Sequence, residues 1–155
     1  MTNKVVLDTS VLVALVDTRD KWHGAATAIK DALKSGRVGL VYLDPVINET
    51  VSVLARRLQE QRRSEQFEPL LDIVEGLAPP ERITWLSAMT QRLYLQVMTL
   101  VREHGGVLNF HDALIALACR ELGIQEIASF DGGFDRVAWL KRLGSPDDVQ
   151  SLAPK

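Results

Sequence analysis

The sequence has very little cysteine and no long apolar run. Its 155 residues include a single cysteine, Cys119, which excludes an internal disulfide framework and fits a reducing compartment. No apolar run is long enough to span a bilayer, and the first residues lack the basic start and small-residue cleavage site of a signal peptide. We therefore expect a cytoplasmic protein without a membrane partner.

An excess of charge of one sign is also missing. The chain has 18 Lys and Arg against 20 Asp and Glu, which gives a formal net charge of -2. Any binding to nucleic acid must therefore come from a local basic patch.

Glycine-rich phosphate loops of the GxxxxGK[ST] or GxGxxG type are absent, and the three histidines, His23, His104 and His111, have no metal-ligand spacing. P-loop and dinucleotide-binding motifs are thereby excluded.

Short apolar runs of strand length alternate with helical patterns along the chain. Strands are predicted at 5–7, 38–43, 82–85, 126–129 and 137–140, and helices at 10–16, 22–34, 45–63, 64–77, 87–104 and 109–122. This alternation indicates an α/β fold with a central, mostly parallel sheet of four to five strands and helices on both faces. Asp44-Pro45 is a helix-start signal with Asp44 as the N-cap. We expect one domain over 1–143 and a loose C-terminal tail over 144–155.

Four acidic residues, Asp8, Glu49, Asp112 and Asp131, fall at the ends of these elements, on the same side of the predicted sheet. Asp8 and Asp131 follow strands, and open α/β sheets bind ligands outside the carboxyl ends of their strands. Carboxylates that are gathered together repel one another, and their burial is costly unless something compensates the charge. Mg²⁺ or Mn²⁺ is the simplest compensation, because these hard cations prefer carboxylate oxygens.

Each acid also has a plainer explanation. Asp8 would cap the helix that follows it. Glu49 and Asp112 would complement helix dipoles from the first turn. Asp131 and Asp135 flank a glycine turn in which Asp135 would be a cap. The joint pattern favours a shared site in which Asp8, Asp112 and Asp131 hold a metal, with Asp135 in its outer surroundings.

Polar side chains beside these acids would support such a site. They are Thr9, Ser10, Asn109 and Ser129. Their hydroxyl and amide groups would orient the carboxylates or hold a water bound to the metal, as outer groups do at many metal centres.

Together these residues resemble a known family. A hydrophobic strand followed by DTS, then NETVSVLAR, FHDALIALA and SFDGGFDRV, are similar in order and content to PIN-domain ribonucleases, above all the VapC-like toxins of bacterial and archaeal toxin–antitoxin pairs. The resemblance extends from Val5 to about Leu140. Ser129 and Gly132 depart from it, since the family often has Thr and then Lys or Arg at these places.

The resemblance implies a PIN-like, three-layer α/β/α fold and a catalytic quartet made of Asp8, Glu49, Asp112 and Asp131, with Ser10 at the family's hydroxyl position. It implies Mg²⁺- or Mn²⁺-dependent cleavage of RNA phosphodiester bonds by an endoribonuclease. It also implies a homodimer and a small antitoxin whose C-terminal segment blocks the site. Apolar positions on the helices between 45 and 77 would pair two copies.

Contact with RNA requires a basic surface, and two clusters are candidates. The first is Arg56, Arg57, Arg62 and Arg63, and the second is Arg136, Lys141 and Arg142; the alternative for each is a solvated helix face. The tryptophans Trp22, Trp85 and Trp139 are expected to pack in the core or in an interface rather than to stack on bases.

Other functions remain open. One is a catalytically silent PIN-fold module with an RNA-binding or regulatory role. Another is a PIN nuclease that acts in RNA processing without a toxin role. A structure-specific DNA nuclease is a third, although the chain has no room for the added helices such enzymes carry. Asp-Thr-Ser also resembles haloacid-dehalogenase-like phosphatases, but their motif needs a second Asp where Ser10 stands.

Overall fold

A five-stranded sheet organises the chain. A computed structural model describes residues 3–152, which contain five strands and seven α-helices. The strands are β1 (Lys4–Leu7), β2 (Gly39–Leu43), β3 (Ile83–Thr84), β4 (Glu126–Ala128) and β5 (Lys141–Leu143). The helices are α1 (Thr9–Val16), α2 (His23–Ser35), α3 (Asp44–Glu60), α4 (Phe67–Leu77), α5 (Ser87–Glu103), α6 (Phe110–Glu121) and α7 (Pro146–Gln150). In this described part, no helix combines the length and apolar character that a membrane span requires.

The order of the strands creates a crevice beside β1. All neighbours are parallel in the order β3-β2-β1-β4-β5. The chain moves outward from β1 to β2 and β3, and it then crosses to the other side of β1 for β4 and β5. The direction thus reverses between β1 and β4, and ligands of open α/β sheets bind at such a reversal. Leu7 is paired with Ala128 in the register, so Asp8 and Ser129 follow at the same level.

Helices form a layer on each face of this sheet. α1 contacts α2, α3 and α4, whereas α5 packs on α6 and α7 packs on α2. Because crossovers between parallel strands are right-handed, the outward connections and the returning connection lie on opposite faces. The predicted α/β fold with a mostly parallel sheet of four to five strands is confirmed, with five strands that are all parallel.

The core explains why the elements next to the crevice are rigid. Val5, Val6 and Leu7 of β1 are completely buried, as a strand covered on both faces requires. In α6 every residue from Ala113 to Cys119 is buried, so this helix runs through the core and holds Asp112 at its start. Phe134, in the 3-10 turn Gly132–Arg136, is also fully buried. The acids at these element ends are therefore attached to well-packed structure.

Two predictions near the C-terminus are wrong. The last strand is Lys141–Leu143 and not 137–140, because the apolar Val137 and Leu140 are buried in the connection before an edge strand. Charged residues are common on edge strands, which hides them from an apolar pattern. The chain after Gly144 is also not loose, since a capping box between Ser145 and Asp148 starts α7. The domain boundary at 143 stays a prediction, and residues 1–2 and 153–155 lie outside the described part.

The start of α3 differs by one residue from its prediction. Leu43 occupies the N-cap position, and Asp44 is already in the first turn. Instead of capping α3, the Asp44 carboxylate accepts a hydrogen bond of 2.7 Å from the amide of Leu86. This long-range bond joins the start of α3 to the chain before α5, and the local sequence gives no sign of it.

Candidate active site

The structure brings all four predicted acids to one cleft. The cleft has a volume of about 230 Å³, and the side chains of Asp8, Glu49, Asp112 and Asp131 line it. Asp8 follows β1, Glu49 comes from α3, Asp112 from α6, and Asp131 from the turn after β4. We call this the acidic cleft. Four separate elements supply its carboxylates, so only the folded chain assembles it.

Asp8 is held by two hydroxyl groups. The residue is 4% exposed, and its Oδ2 accepts hydrogen bonds from Ser129 Oγ at 2.6 Å and Ser10 Oγ at 3.3 Å. Asp8 occupies the N-cap position of α1 but makes no side-chain capping hydrogen bond there, so capping does not explain it. Burial raises the pKa of Asp8, and the hydrogen bond from Ser129 acts in the opposite direction.

The same two hydroxyls hold the loop that carries Asp131. The amide of Asp131 donates to Ser129 Oγ at 2.9 Å, and the amide of Phe130 donates to Ser10 Oγ at 3.0 Å. Asp131 Oδ1 accepts from the amide of Gly133 at 2.8 Å and caps the short turn that follows. The carboxylate is therefore oriented by its own backbone turn, a capping role that the sequence had suggested for Asp135.

Glu49 and Asp112 each have a dedicated neighbour. Thr9 Oγ1 donates to Glu49 Oε2 at 3.0 Å, which ties α3 to the start of α1. Asn109 caps α6, because its Oδ1 accepts the amide of Asp112 at 2.9 Å. The cap is thus supplied by Asn109, and the carboxylate of Asp112 lines the cleft instead.

Unbalanced negative charge dominates the acidic cleft. Burial raises the pKa of Asp112 to about 7, and the charges of Asp8, Asp131 and Glu49 add to this effect. None of the salt bridges found in residues 3–152 includes any of these four acids. Carboxylates that repel one another without a basic partner are the arrangement that a bound cation would relieve.

The donor set fits a hard divalent cation in its chemistry. All candidate ligands are oxygens, which Mg²⁺ and Mn²⁺ prefer. Within residues 3–152, no group of three or more His, Cys, Asp or Glu is already arranged to hold a metal ion. Mg²⁺ does not need such a cage, since it usually keeps several waters and binds through one or two carboxylates together with substrate phosphates.

We expect Asp112→Asn to stabilise the metal-free protein at pH 8 by about 1–2 kcal/mol. Asp112 has a folded-state pKa of about 7 against an ordinary value of 3.8, so between these pH values the folded state holds a proton that the unfolded state has lost. Wild-type stability therefore falls as pH rises from about 4 to about 7. Solvent screening at this half-exposed carboxyl keeps the effect well below the unscreened shift.

Urea denaturation in EDTA at pH 4 and pH 8 measures this difference. The two proteins should be equally stable at pH 4, and the variant should gain at pH 8. Asp31→Asn, at an exposed position on α2, is the matched control and should show no such gain. A wild-type protein more stable than Asp112→Asn at pH 8 would contradict the charge imbalance.

Two arginines of the first predicted basic cluster lie at the acidic cleft. Arg56 and Arg57 of α3 both line it, and Arg57 also pairs with Asp20. Asp112 has no basic residue within a turn on its own helix face, and these arginines reach it because α3 and α6 both contribute to the lining of the cleft. Arg62 is exposed beyond the end of α3.

Arg63 is wrongly assigned to that basic surface. It is only 8% exposed, and its guanidinium donates to both carboxylate oxygens of Asp17, at 3.2 and 3.0 Å. It also donates to the side chains of Gln61 and Gln66. These partners occupy the guanidinium N–H groups that an RNA phosphate would need. Arg63 therefore holds the chain after α3 against Asp17.

Asp135 lies outside the lining of the acidic cleft. Its carboxylate accepts two hydrogen bonds from Arg142, at 2.9 and 3.0 Å, which hold the pKa of Asp135 below its ordinary value. Arg142 in turn donates to the carbonyl of Ser129 at 3.1 Å. Arg142 therefore joins the turn that carries Asp135 to the residue that follows β4. Arg142 was missed as a support residue, because its two partners are distant in the sequence.

Core packing, one of the two expectations for the tryptophans, fails for Trp22 and Trp85, and packing in an interface stays a prediction for them. Trp22 is 45% exposed and Trp85 is 63% exposed. Only Trp139 is mostly packed, where its Nε1 donates to the carbonyl of Ala116 at 2.8 Å and Arg120 lies over its ring.

Comparison with known proteins agrees with this fold. The PIN domain matches residues 5–140. VapC20 of Mycobacterium tuberculosis, described as a Sarcin-Ricin loop cleaving toxin, has a TM-score of 0.66 and 26% identity, over 88% of this chain and 96% of that one. VapBC2 of Rickettsia felis, solved with a DNA fragment from its promoter, has a TM-score of 0.63 and 18% identity, over 90% of this chain and 97% of that one.

At 18% identity the second likeness shows the fold alone. No curated protein sequence matches the chain significantly. The similarity to PIN-domain, VapC-like proteins that the motifs predicted is nevertheless confirmed, and the chain belongs to the PIN domain family.

Proposed function

We propose that this chain is a metal-dependent endoribonuclease, and the toxin of a toxin–antitoxin pair that acts in the cytoplasm. One observation carries the proposal: four carboxylates from four elements line a single cleft and have no salt bridge in the described chain. Similarity to VapC20, described as a Sarcin-Ricin loop cleaving toxin, supports the choice of RNA as substrate.

The residues of the acidic cleft would have different roles in cleavage. Asp8, Asp112 and Asp131 would hold the ion. A bound Mg²⁺ or Mn²⁺ would supply Lewis-acid stabilisation of the phosphate and activation of water. Glu49, whose Oε2 is held by Thr9, would use its other oxygen to orient the attacking water and accept its proton.

The cationic groups at the cleft would bind the RNA backbone. Arg56 is exposed and lines the cleft beside the acids, and it would contact a phosphate oxygen. Arg57 is fixed by its ion pair with Asp20 and would add a second, oriented positive charge. Contacts of this kind position the strand without reading its sequence.

Metal-dependent cleavage of a mixed RNA pool tests the proposal. The purified protein should cleave RNA with Mg²⁺ or Mn²⁺ present, and EDTA should abolish the cleavage. Excess Mg²⁺ added after EDTA should restore it, which excludes irreversible damage. A folded protein that leaves RNA intact with either metal would instead be the catalytically silent module.

The toxin role requires partners. We propose a small antitoxin that inserts a segment into the acidic cleft, and a homodimer of this chain. The similarity to VapC20, which is described as a toxin, supports the first partner. A neighbouring reading frame for a small protein that binds this chain and inhibits cleavage would support the toxin role, and activity without any such partner would favour RNA processing.

A further inference from the structure

A second cleft adjoins the acidic cleft. It has a volume of about 640 Å³, which is within the usual range of ligand sites. Ser10, Arg57 and Asp131 line both clefts, so the two spaces share a wall. A strand whose phosphate lies at the acids would therefore extend into this second space. We call it the aromatic cleft, after Trp22 and Phe130, which form part of its wall.

A stacked pair of rings forms this wall. The centroids of Trp22 and Phe130 are 5.0 Å apart and their planes are inclined by 18°. Phe130 directly precedes Asp131, and its amide is held by Ser10 Oγ. The amide of Trp22 donates to Asp20 Oδ1 at 2.8 Å. The indole is thus a flat surface in the same cleft wall as Asp131, and Trp22 is 45% exposed to water.

Positive charge accompanies the platform. Lys21 Nζ lies over the ring of Trp22, 5.5 Å from its centroid, and Arg19 also lines the cleft. Neither Lys21 nor Arg19 takes part in a salt bridge within residues 3–152. Both side chains are exposed and are within reach of a backbone phosphate at the cleft.

The acids of the aromatic cleft are largely neutralised. Asp17 is paired with Arg63, and Asp20 is paired with Arg57. Of the other acids that line this cleft, Asp131 belongs to both clefts, and Glu60 lies in the last turn of α3. The aromatic cleft therefore differs from the acidic cleft, where the carboxylates have no basic partner.

We propose that the aromatic cleft binds one unpaired nucleotide of the RNA, adjacent to the phosphate in the acidic cleft, with its base stacked on Trp22 and its own phosphate against Lys21. One face of the indole is against Phe130, and the base takes the other as the Lys21 ammonium, which lies over the ring in the free protein, moves onto the phosphate. Aromatic side chains beside a basic groove are the usual means of binding single-stranded nucleic acid. The inference rests on the proposed nuclease function and adds a requirement for an unpaired base.

Binding measured without cleavage tests this subsite. The probes are a fluorescein-labelled oligoadenylate and an oligomer of the same length that lacks the bases, each titrated with the full chain in EDTA and followed by fluorescence anisotropy. Trp22→Ala should weaken oligoadenylate binding about tenfold, the effect of losing one stacked base. Binding of the abasic oligomer should not change, because it has no base to stack.

Two further variants separate stacking from a merely structural role. Trp22→Phe keeps a ring on Phe130 and should retain most of the affinity for oligoadenylate. Trp85→Ala removes another exposed tryptophan, which lies outside the lining of both clefts, and should leave both affinities unchanged. Equal weakening of both probes by Trp22→Ala would assign Trp22 to support of the fold and overturn the subsite, as would an equal loss with Trp85→Ala.

The subsite and the nuclease proposal fail in different experiments. If wild type cleaves RNA with metal while Trp22→Ala binds oligoadenylate as wild type does, only the subsite is overturned. If wild type binds oligoadenylate no better than the abasic oligomer, the stacking subsite is again overturned, whatever the cleavage assay shows. Absence of metal-dependent cleavage in a folded protein that binds oligoadenylate through Trp22 overturns only the nuclease proposal.

Discussion

Asp8→Asn should reduce metal-dependent RNA cleavage by about a thousandfold, on the order of 4 kcal/mol of lost transition-state stabilisation. Asp8 is the most buried of the four acids and lies at the reversal of strand order. A neighbouring carboxylate therefore cannot easily take its place as a metal ligand. The amide removes the negative charge that would hold the ion but keeps an oxygen for the hydroxyl of Ser129. Initial rates on a labelled RNA, with Mg²⁺ in excess, measure the loss.

The same variant should fold as well as wild type. Burial raises the pKa of Asp8, which means that its ionised form costs stability in the folded state. Its melting temperature in EDTA at pH 8 should therefore equal or exceed that of wild type. Asp72→Asn, at an exposed position on α4, is the matched control and should keep full activity. Full activity of Asp8→Asn would remove Asp8 from the mechanism.

Phe134→Ala should lower the free energy of unfolding by about 3–5 kcal/mol, the usual cost of removing a large buried ring. Phe134 is 0% exposed and belongs to the turn that Asp131 caps. The cavity left behind would lie directly below the loop of the acidic cleft, so cleavage should fall as well. Urea denaturation curves, with the slope compared to detect a change in cooperativity, measure the stability.

A partly buried phenylalanine supplies the comparison for this core substitution. Phe67, at the start of α4, packs at the edge of a smaller apolar cluster. Phe67→Ala should cost less than Phe134→Ala and should leave cleavage unchanged, because α4 contributes no residue to the acidic cleft. An equal loss of stability in the two variants would show that the turn after β4 is not anchored by its buried ring.

Much of the fold follows from short-range patterns. The continuous apolar run of β1 and the helical spacing of α5 and α6 are visible in the sequence, because burial and helix geometry impose these periods directly. The strand at Lys141–Leu143 is not visible, since an edge strand tolerates charge. Helix α7 is too short and polar to show a period; its capping box starts it, and its packing on α2 holds it.

The acids could be located in part. Asp8 and Asp131 both follow strands of one parallel sheet, and carboxyl ends of such strands share an edge, so their approach is expected. The capping of α6 by Asn109, which leaves Asp112 for the cleft, is a matter of local hydrogen bonds. The position of Arg57 is different, because it depends on how α3 lies relative to the rest of the sheet.

The sequence by itself determined the alternation of strands and helices and the placement of carboxylates at their ends, since both depend on neighbours within a few residues. Only the tertiary structure decided which charges are compensated. Arg63 is used by Asp17, Arg142 by Asp135, and Arg57 by Asp20, whereas the four acids of the cleft have no such partner in the described chain. Electrostatic energies depend on distance and burial in three dimensions, and sequence separation reports neither.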